Sequence, residues 1–150
     1  MRKIDRQALV PFTAEQMYAV VEDVENYCRF LPWCKSSHVV SCSPAETVAS
    51  LDVSTGPLHT RFTTRNRLYP PRRIELELAN GPFRELKGEW SFEPIADRGS
   101  KVRLQLQFAF ANSLNALVLE PVFEHVSRTL VDAFVRRARE IHDERKAAPV

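Results

Sequence analysis

A curved antiparallel sheet wrapped around a long C-terminal helix, an α+β helix-grip arrangement, is the fold this sequence predicts. Three observations predict it. Five segments between Thr47 and Phe110 alternate apolar and polar residues with period two, as half-buried antiparallel strands do. From Asn112 onward the period changes to helical and stays so towards the C-terminus. Only one long helix is thus available to cover many strands. A helix is about 10 Å across, whereas six or seven strands at about 4.8 Å spacing span roughly three times that width. The sheet must curl around the helix, and such a wrap leaves a cavity near its mouth.

The elements follow in order. A short strand covers Lys3–Val10. Thr13 then caps a helix, with Gln16 at the third helical position completing a capping box and Phe12 and Met17 placed as a hydrophobic staple. Met17, Val20, Val21 and Val24 continue at helical spacing, and a second short helix around Asn26–Phe30 is stopped by Leu31-Pro32. Ser36–Cys42 reads as a strand. Thr47–Thr55 places Ala49, Leu51 and Val53 on one face, and Gly56-Pro57 turns the chain. Leu58–Leu68 places Leu58, Phe62 and Leu68 inward, with His59, Arg61, Arg65 and Arg67 outward. Ile74, Leu76 and Leu78 alternate with Arg73, Glu75 and Glu77 after Pro70-Pro71. Beyond Asn80-Gly81-Pro82, Leu86, Trp90 and Phe92 alternate with Glu85, Lys87, Glu89 and Glu93. Val102, Leu104, Leu106, Phe108 and Phe110 form the inward face of the last strand. The helical stripe runs through Leu114, Leu117, Val118, Val122, Val126, Leu130, Phe134, Ala138 and Ile141, with an interruption or kink expected at Pro121. Arg136, Arg137, Arg139, Arg145 and Lys146 crowd its C-terminal end, where cations suit the helix dipole.

Bulk properties limit the function classes. The chain of 150 residues suits one domain spanning 1–150, with 44% hydrophobic and 27% charged residues. A formal charge of +2 is too small to argue for nucleic acid, and DNA is not an expected partner. No apolar leader precedes the first strand and no stretch is long enough to span a bilayer. Three cysteines, an odd number, fit a reduced cytoplasmic setting.

Candidate chemistry is sparse. Cys28, Cys34, His38 and Cys42 resemble a ligand string, but His38 and Cys42 on one strand stand roughly 13 Å apart, too far to converge on one ion. No metal site is expected. The chain has no Gly-x-Ser-x-Gly elbow and only four glycines, so neither a nucleophile turn nor a phosphate loop is present. Glu75 and Glu77 face the Arg61/Arg65/Arg67 stripe as cross-strand ion pairs would. Enzymatic activity is not expected.

Binding is better supported. Thr60, Thr64 and Asn66 are polar groups on an inward face and need partners: backbone, a trapped water, or the polar head of an apolar ligand. Expected lining residues are Trp33, Phe62, Thr64, Asn66, Leu76, Trp90, Leu106, Phe108, Val118 and Val122, with Trp33 either a gate or a core residue. The stripe Arg61, Arg65 and Arg67 is the candidate surface for RNA or anionic lipid.

Ala8–Tyr18 (ALVPFTAEQMY), Asn26–Cys34 (NYCRFLPWC), Phe62–Asn66 (FTTRN), Gly81-Pro82-Phe83 with Leu86 and Trp90, and Val131–Phe134 with Arg137-Ala138 resemble the START-like family of coenzyme Q-binding proteins and bacterial ribosome-association toxins, within the polyketide cyclase-like superfamily. Cys28 departs from it, since relatives often carry proline after the tyrosine. The resemblance implies a helix-grip fold. It also implies two activities: ubiquinone chaperoning in respiration, or binding of the large ribosomal subunit to block subunit joining. Ubiquinone is then the expected bound ligand, no cofactor is required, and transient contact with a membrane surface is a further expectation.

Overall fold

The computed structural model describes the backbone of residues 1–147 and the side chains of residues 1–112, 114 and 116–142. In chain order the elements are β1 (Arg2–Val10), α1 (Ala14–Glu22), a 3-10 helix (Val24–Arg29), β2 (Cys34–Cys42), β3 (Glu46–Thr55), β4 (Leu58–Tyr69), β5 (Arg73–Asn80), β6 (Phe83–Ile95), β7 (Gly99–Phe110), α2 (Ser113–Arg128) and α3 (Leu130–Ala147). Arg145 and Lys146, in the expected basic cluster, lie outside the described side chains.

The capping box forms as its residues dictate. Gln16 N donates to Thr13 Oγ1 at 3.1 Å while Thr13 N donates to Gln16 Oε1 at 2.8 Å. Phe12 and Met17 are both buried beside it. The Ser100 hydroxyl donates to Phe12 O at 2.8 Å, so this buried serine anchors the β1–α1 turn to β7.

All strand pairs are antiparallel, in the order β1-β7-β6-β5-β4-β3-β2. Period-two burial appears as expected: Leu58, Phe62 and Asn66 of β4 face in, and Arg61, Arg65 and Arg67 face out. Bulges interrupt β2 twice, the β4–β5 pair at Thr63/Thr64 and β6 at Phe83/Glu85. Each bends its strand and raises the local twist, which is how a seven-stranded sheet closes over a narrow helix. Gly88 sits between Leu76 and Leu106 in register. A β-carbon built there would lie 2.4 Å from Gln105 O, so the approach of β6 to β7 needs glycine.

The C-terminal helix differs from expectation in two respects. Its break falls at Thr129, not at Pro121, which lies inside α2 on an exposed turn. At Thr129 both the backbone N–H (3.1 Å) and the hydroxyl (2.6 Å) close on Val126 O, ending the α-helical ladder there. On its solvent-facing turn, Pro121 removes one hydrogen bond without forcing a break. Secondly, the core face of α2 and α3 is Phe123, Val126, Ser127, Val131, Phe134 and Ala138, whereas Leu114, Leu117 and Val118 are exposed by 78%, 79% and 56%. The reason lies in packing: Phe123 sets its ring among Phe62, Phe83, Phe108 and Phe110, and at about 100° per residue Leu114, Leu117 and Val118 fall on the opposite side of the helix.

Candidate functional site

Two aromatic groups divide the interior. Phe62, Phe83, Phe108, Phe110 and Phe123 pack at one end, with ring centroids 4.7 Å apart for Phe108–Phe123 and 5.5 Å for Phe62–Phe83. Phe134 gathers Tyr27 (5.1 Å), Trp90 (5.3 Å) and Phe30 (5.5 Å) at the other. Between them lies a cavity of about 100 Å³, walled by Ala49, Leu51 and Val53 of β3, by Leu76, Leu86 and Leu106 across the sheet, and by Phe123, Val126 and Leu130 from the helices. Of its lining residues, Trp33, Leu51, Thr64, Leu76 and Leu130 are only half-buried. Trp33 is held there by Ser54 N, which donates to Trp33 O at 2.9 Å.

Of the expected lining residues, Trp33, Phe62, Thr64, Asn66, Leu76, Trp90 and Leu106 do line this cavity. Phe108, Val118 and Val122 do not. Phe108 is fully buried within the first aromatic group, Val118 faces solvent, and Val122 sits half-buried to one side. Alternation places Phe108 on the correct face but carries no information on how far along the sheet the cavity extends. Tyr27, Ala49, Leu51, Val53, Leu86 and Phe123 line it as well, beyond the residues expected. The inward alternation of β3 held the signal for three of them.

Polar groups in the wall are few. Thr64 Oγ1 donates to Asn66 Oδ1 at 2.8 Å, so each inward polar residue satisfies part of the other. The Asn66 amide nitrogen has no hydrogen-bond partner among the described residues. Ser127 donates to Phe123 O at 2.8 Å, and the Tyr27 hydroxyl donates to Val21 O. Burial holds the Tyr27 phenol well above its ordinary range, so it stays neutral. Thr60 Oγ1 is buried without a partner among the described residues and lies outside the cavity wall.

The outer face is charged and self-paired. Arg61 grips Asp52 with two hydrogen bonds of 2.7 and 2.9 Å, Arg65 reaches Glu46 at 2.7 Å, and Arg67 reaches Glu77 at 3.7 Å. A broader concavity of about 550 Å³ crosses this face, its walls formed by such pairs and by Lys3, Asp5, Lys87 and Glu89. The Arg61 guanidinium, with the Ser36 hydroxyl, holds the Asp52 carboxyl well below the usual carboxylate range. The folded state therefore favours the carboxylate. The resulting stability is complete above roughly pH 4, where an unfolded aspartate ionises, and is lost as pH falls below that value. Asp52→Asn is expected to lower stability at neutral pH and to matter progressively less in acid; a difference constant across an acid denaturation series would contradict it.

Among the described residues no three metal-ligating side chains converge. Cys34 is buried and Cys28 and Cys42 are exposed. Burial pushes the Cys34 thiol up to about 11, so it stays protonated. No helix among the described residues is long and apolar enough to cross a membrane.

A bent antiparallel sheet closed by C-terminal helices over an apolar cavity defines the helix-grip class. The chain belongs to the polyketide cyclase / dehydrase and lipid transport family, which it matches over residues 10–135. It is 42% identical to the ribosome association toxin RatA of Pseudomonas aeruginosa over 93% of this chain and 96% of that one. To the mitochondrial coenzyme Q-binding protein COQ10 homolog B of Xenopus laevis it is 32% identical, over 87% of this chain and 55% of the other. Among solved structures, the Zhui aromatase/cyclase of a Streptomyces species superposes with a TM-score of 0.84, covering 99% of each chain at 20% identity. That likeness speaks to fold alone.

Proposed function

We propose that this protein binds, without catalysis, the ring of an isoprenoid quinone such as ubiquinone in the cavity between sheet and helices. The observation that carries the reading is a wall of aromatic and aliphatic side chains with few polar groups, among them the Asn66 amide, whose nitrogen has no hydrogen-bond partner among the described residues. A quinone ring offers an apolar face and carbonyl acceptors, which matches that wall and that donor. The described wall contains no carboxylate, imidazole or thiol, which supports binding over acid–base or nucleophilic chemistry. Likeness to coenzyme Q-binding relatives supports the ligand class.

Organic extraction of the protein purified from a ubiquinone-producing host, followed by mass spectrometry, tests the reading. The expected ratio of quinone to protein approaches one. Ala49→Leu, which fills the cavity from β3, and Asn66→Leu, which removes the donor, are each expected to weaken binding at least about tenfold, a step of about 1.4 kcal/mol, and so to lower the ratio. A ratio near zero, with no uptake when quinone is added back, would overturn it.

A second reading is association with the large ribosomal subunit, favoured by full-length likeness at 39–42% identity to relatives named ribosome association toxins. Its expected surface, Arg61, Arg65 and Arg67, is engaged in ion pairs, so RNA would have to displace Asp52, Glu46 and Glu77 to use it. Subunit binding by protein that takes up no quinone would favour this second reading.

A further inference from the structure

The apolar stripe on α2 leaves the core before it ends. Val126 lines the cavity; Val122, one turn back, is half-buried; Val118 and Leu114 are 56% and 78% exposed. Residues four apart are neighbours on a helix surface, so these four side chains form one continuous row. It runs for about 18 Å from the cavity wall out to solvent. The opposite flank of α2 is tied to β1, where Arg2 pairs with Glu120 at 3.6 Å and Glu124 at 3.4 Å. The row therefore lies on the flank away from β1, and α2 packs against β4 as well. Residues 108–119 (FAFANSLNALVL) carry no charge, so covering this stretch desolvates no ion.

Size makes such a row useful. The cavity of about 100 Å³ lies below the roughly 300–1,000 Å³ usual for sites that enclose a whole small molecule. It can take a head group but not a head group with its tail. Resting on the quinone reading above, we propose that the ligand is bipartite in its placement: the ring enters the cavity, and the apolar tail leaves by the mouth and lies along Val122, Val118 and Leu114. The preferred ligand is accordingly a ring with one long flexible hydrocarbon chain, and tail length sets affinity through these residues.

The two tryptophans of the chain, Trp33 and Trp90, both line the cavity and report its occupancy by fluorescence quenching. Wild-type protein and Leu114→Gln/Val118→Gln, whose changes fall on exposed helical positions and keep good helix formers, are titrated at fixed detergent concentration. The probes are a quinone with a single isoprene unit and one with eight. Wild type is expected to bind the long-tailed quinone at least about tenfold more tightly. The double variant is expected to lose most of that advantage while binding the short-tailed quinone as before. An undiminished tail advantage in the variant would overturn the inference. So would an undiminished advantage accompanied by a changed oligomeric state, which would assign this face to a second copy of the chain. Short-tailed binding without any tail effect removes this inference alone; failure of the wild type to bind either quinone removes the quinone reading with it.

Discussion

Phe134→Ala is expected to lower the unfolding free energy by about 3–5 kcal/mol, the usual range for truncating a buried phenylalanine. Phe134 is 1% exposed and is the ring around which Tyr27, Phe30 and Trp90 are arranged. Those three come from the 3-10 helix, the residue that ends it, and β6, so the phenyl ring is where α3, the N-terminal helical segment and the sheet meet. Its removal would join a new void to the existing cavity, and rings held by strands and caps cannot collapse to fill it. For a chain of this size the loss corresponds to a fall in Tm on the order of 10 °C. Denaturant unfolding measures it, with Phe134→Leu expected to cost clearly less. A loss below about 1 kcal/mol for the alanine variant would mean that α3 repacks freely, contrary to the close-packed interior described.

The second large effect is expected at Gly88. A β-carbon there would meet Gln105 O at 2.4 Å, Leu106 Cδ1 at 2.8 Å and Leu106 Cα at 3.1 Å. A leucine methyl can turn aside, but the carbonyl belongs to the strand paired with β6 and cannot move without loosening that ladder. Overpacking of a side chain costs about 1–3 kcal/mol, and a clash with backbone belongs at or above the upper end. Gly88→Val is thus expected to cost about 3 kcal/mol or more, and Gly88→Ala somewhat less. Gly56→Ala supplies the contrast. Gly56 has φ of 54° but nothing within 4 Å of a β-carbon, so only the left-handed backbone preference is lost, about 1–2 kcal/mol. Equal losses at the two positions would show that β7 yields to a β-carbon at Gly88 and that the close approach of β6 to β7 does not require glycine.

The strands were legible because period-two alternation is local. Leu58, Phe62 and Asn66 face in and Arg61, Arg65 and Arg67 face out, as the chain between Gly56-Pro57 and Pro70-Pro71 implies. The capping box at Thr13–Gln16 was legible for the same reason, since its hydrogen bonds join residues three apart. Of the ion pairs expected for the arginine stripe, those with Glu77 form. Glu75 instead pairs with Arg73, and the shortest contacts of Arg61 and Arg65 are with Asp52 and Glu46 of β3, because β3 also lies in register beside β4. The cavity was only partly legible. Trp33, Phe62, Thr64, Asn66, Leu76, Trp90 and Leu106 reach it, whereas Phe108 is taken up by the aromatic group with Phe83, Phe110 and Phe123.

By itself, then, the sequence determined the antiparallel sheet, its inward and outward faces, the first helix with its cap and the C-terminal helical region. Each depends on the spacing of residues within one segment. The tertiary structure alone decided the rotation of α2 that buries Phe123 and exposes Leu114, Leu117 and Val118, the break at Thr129, and the size and ends of the cavity. These depend on which of several apolar residues wins a shared interior. That competition is settled by close packing between segments distant in the chain, and a periodic pattern within one segment does not contain it.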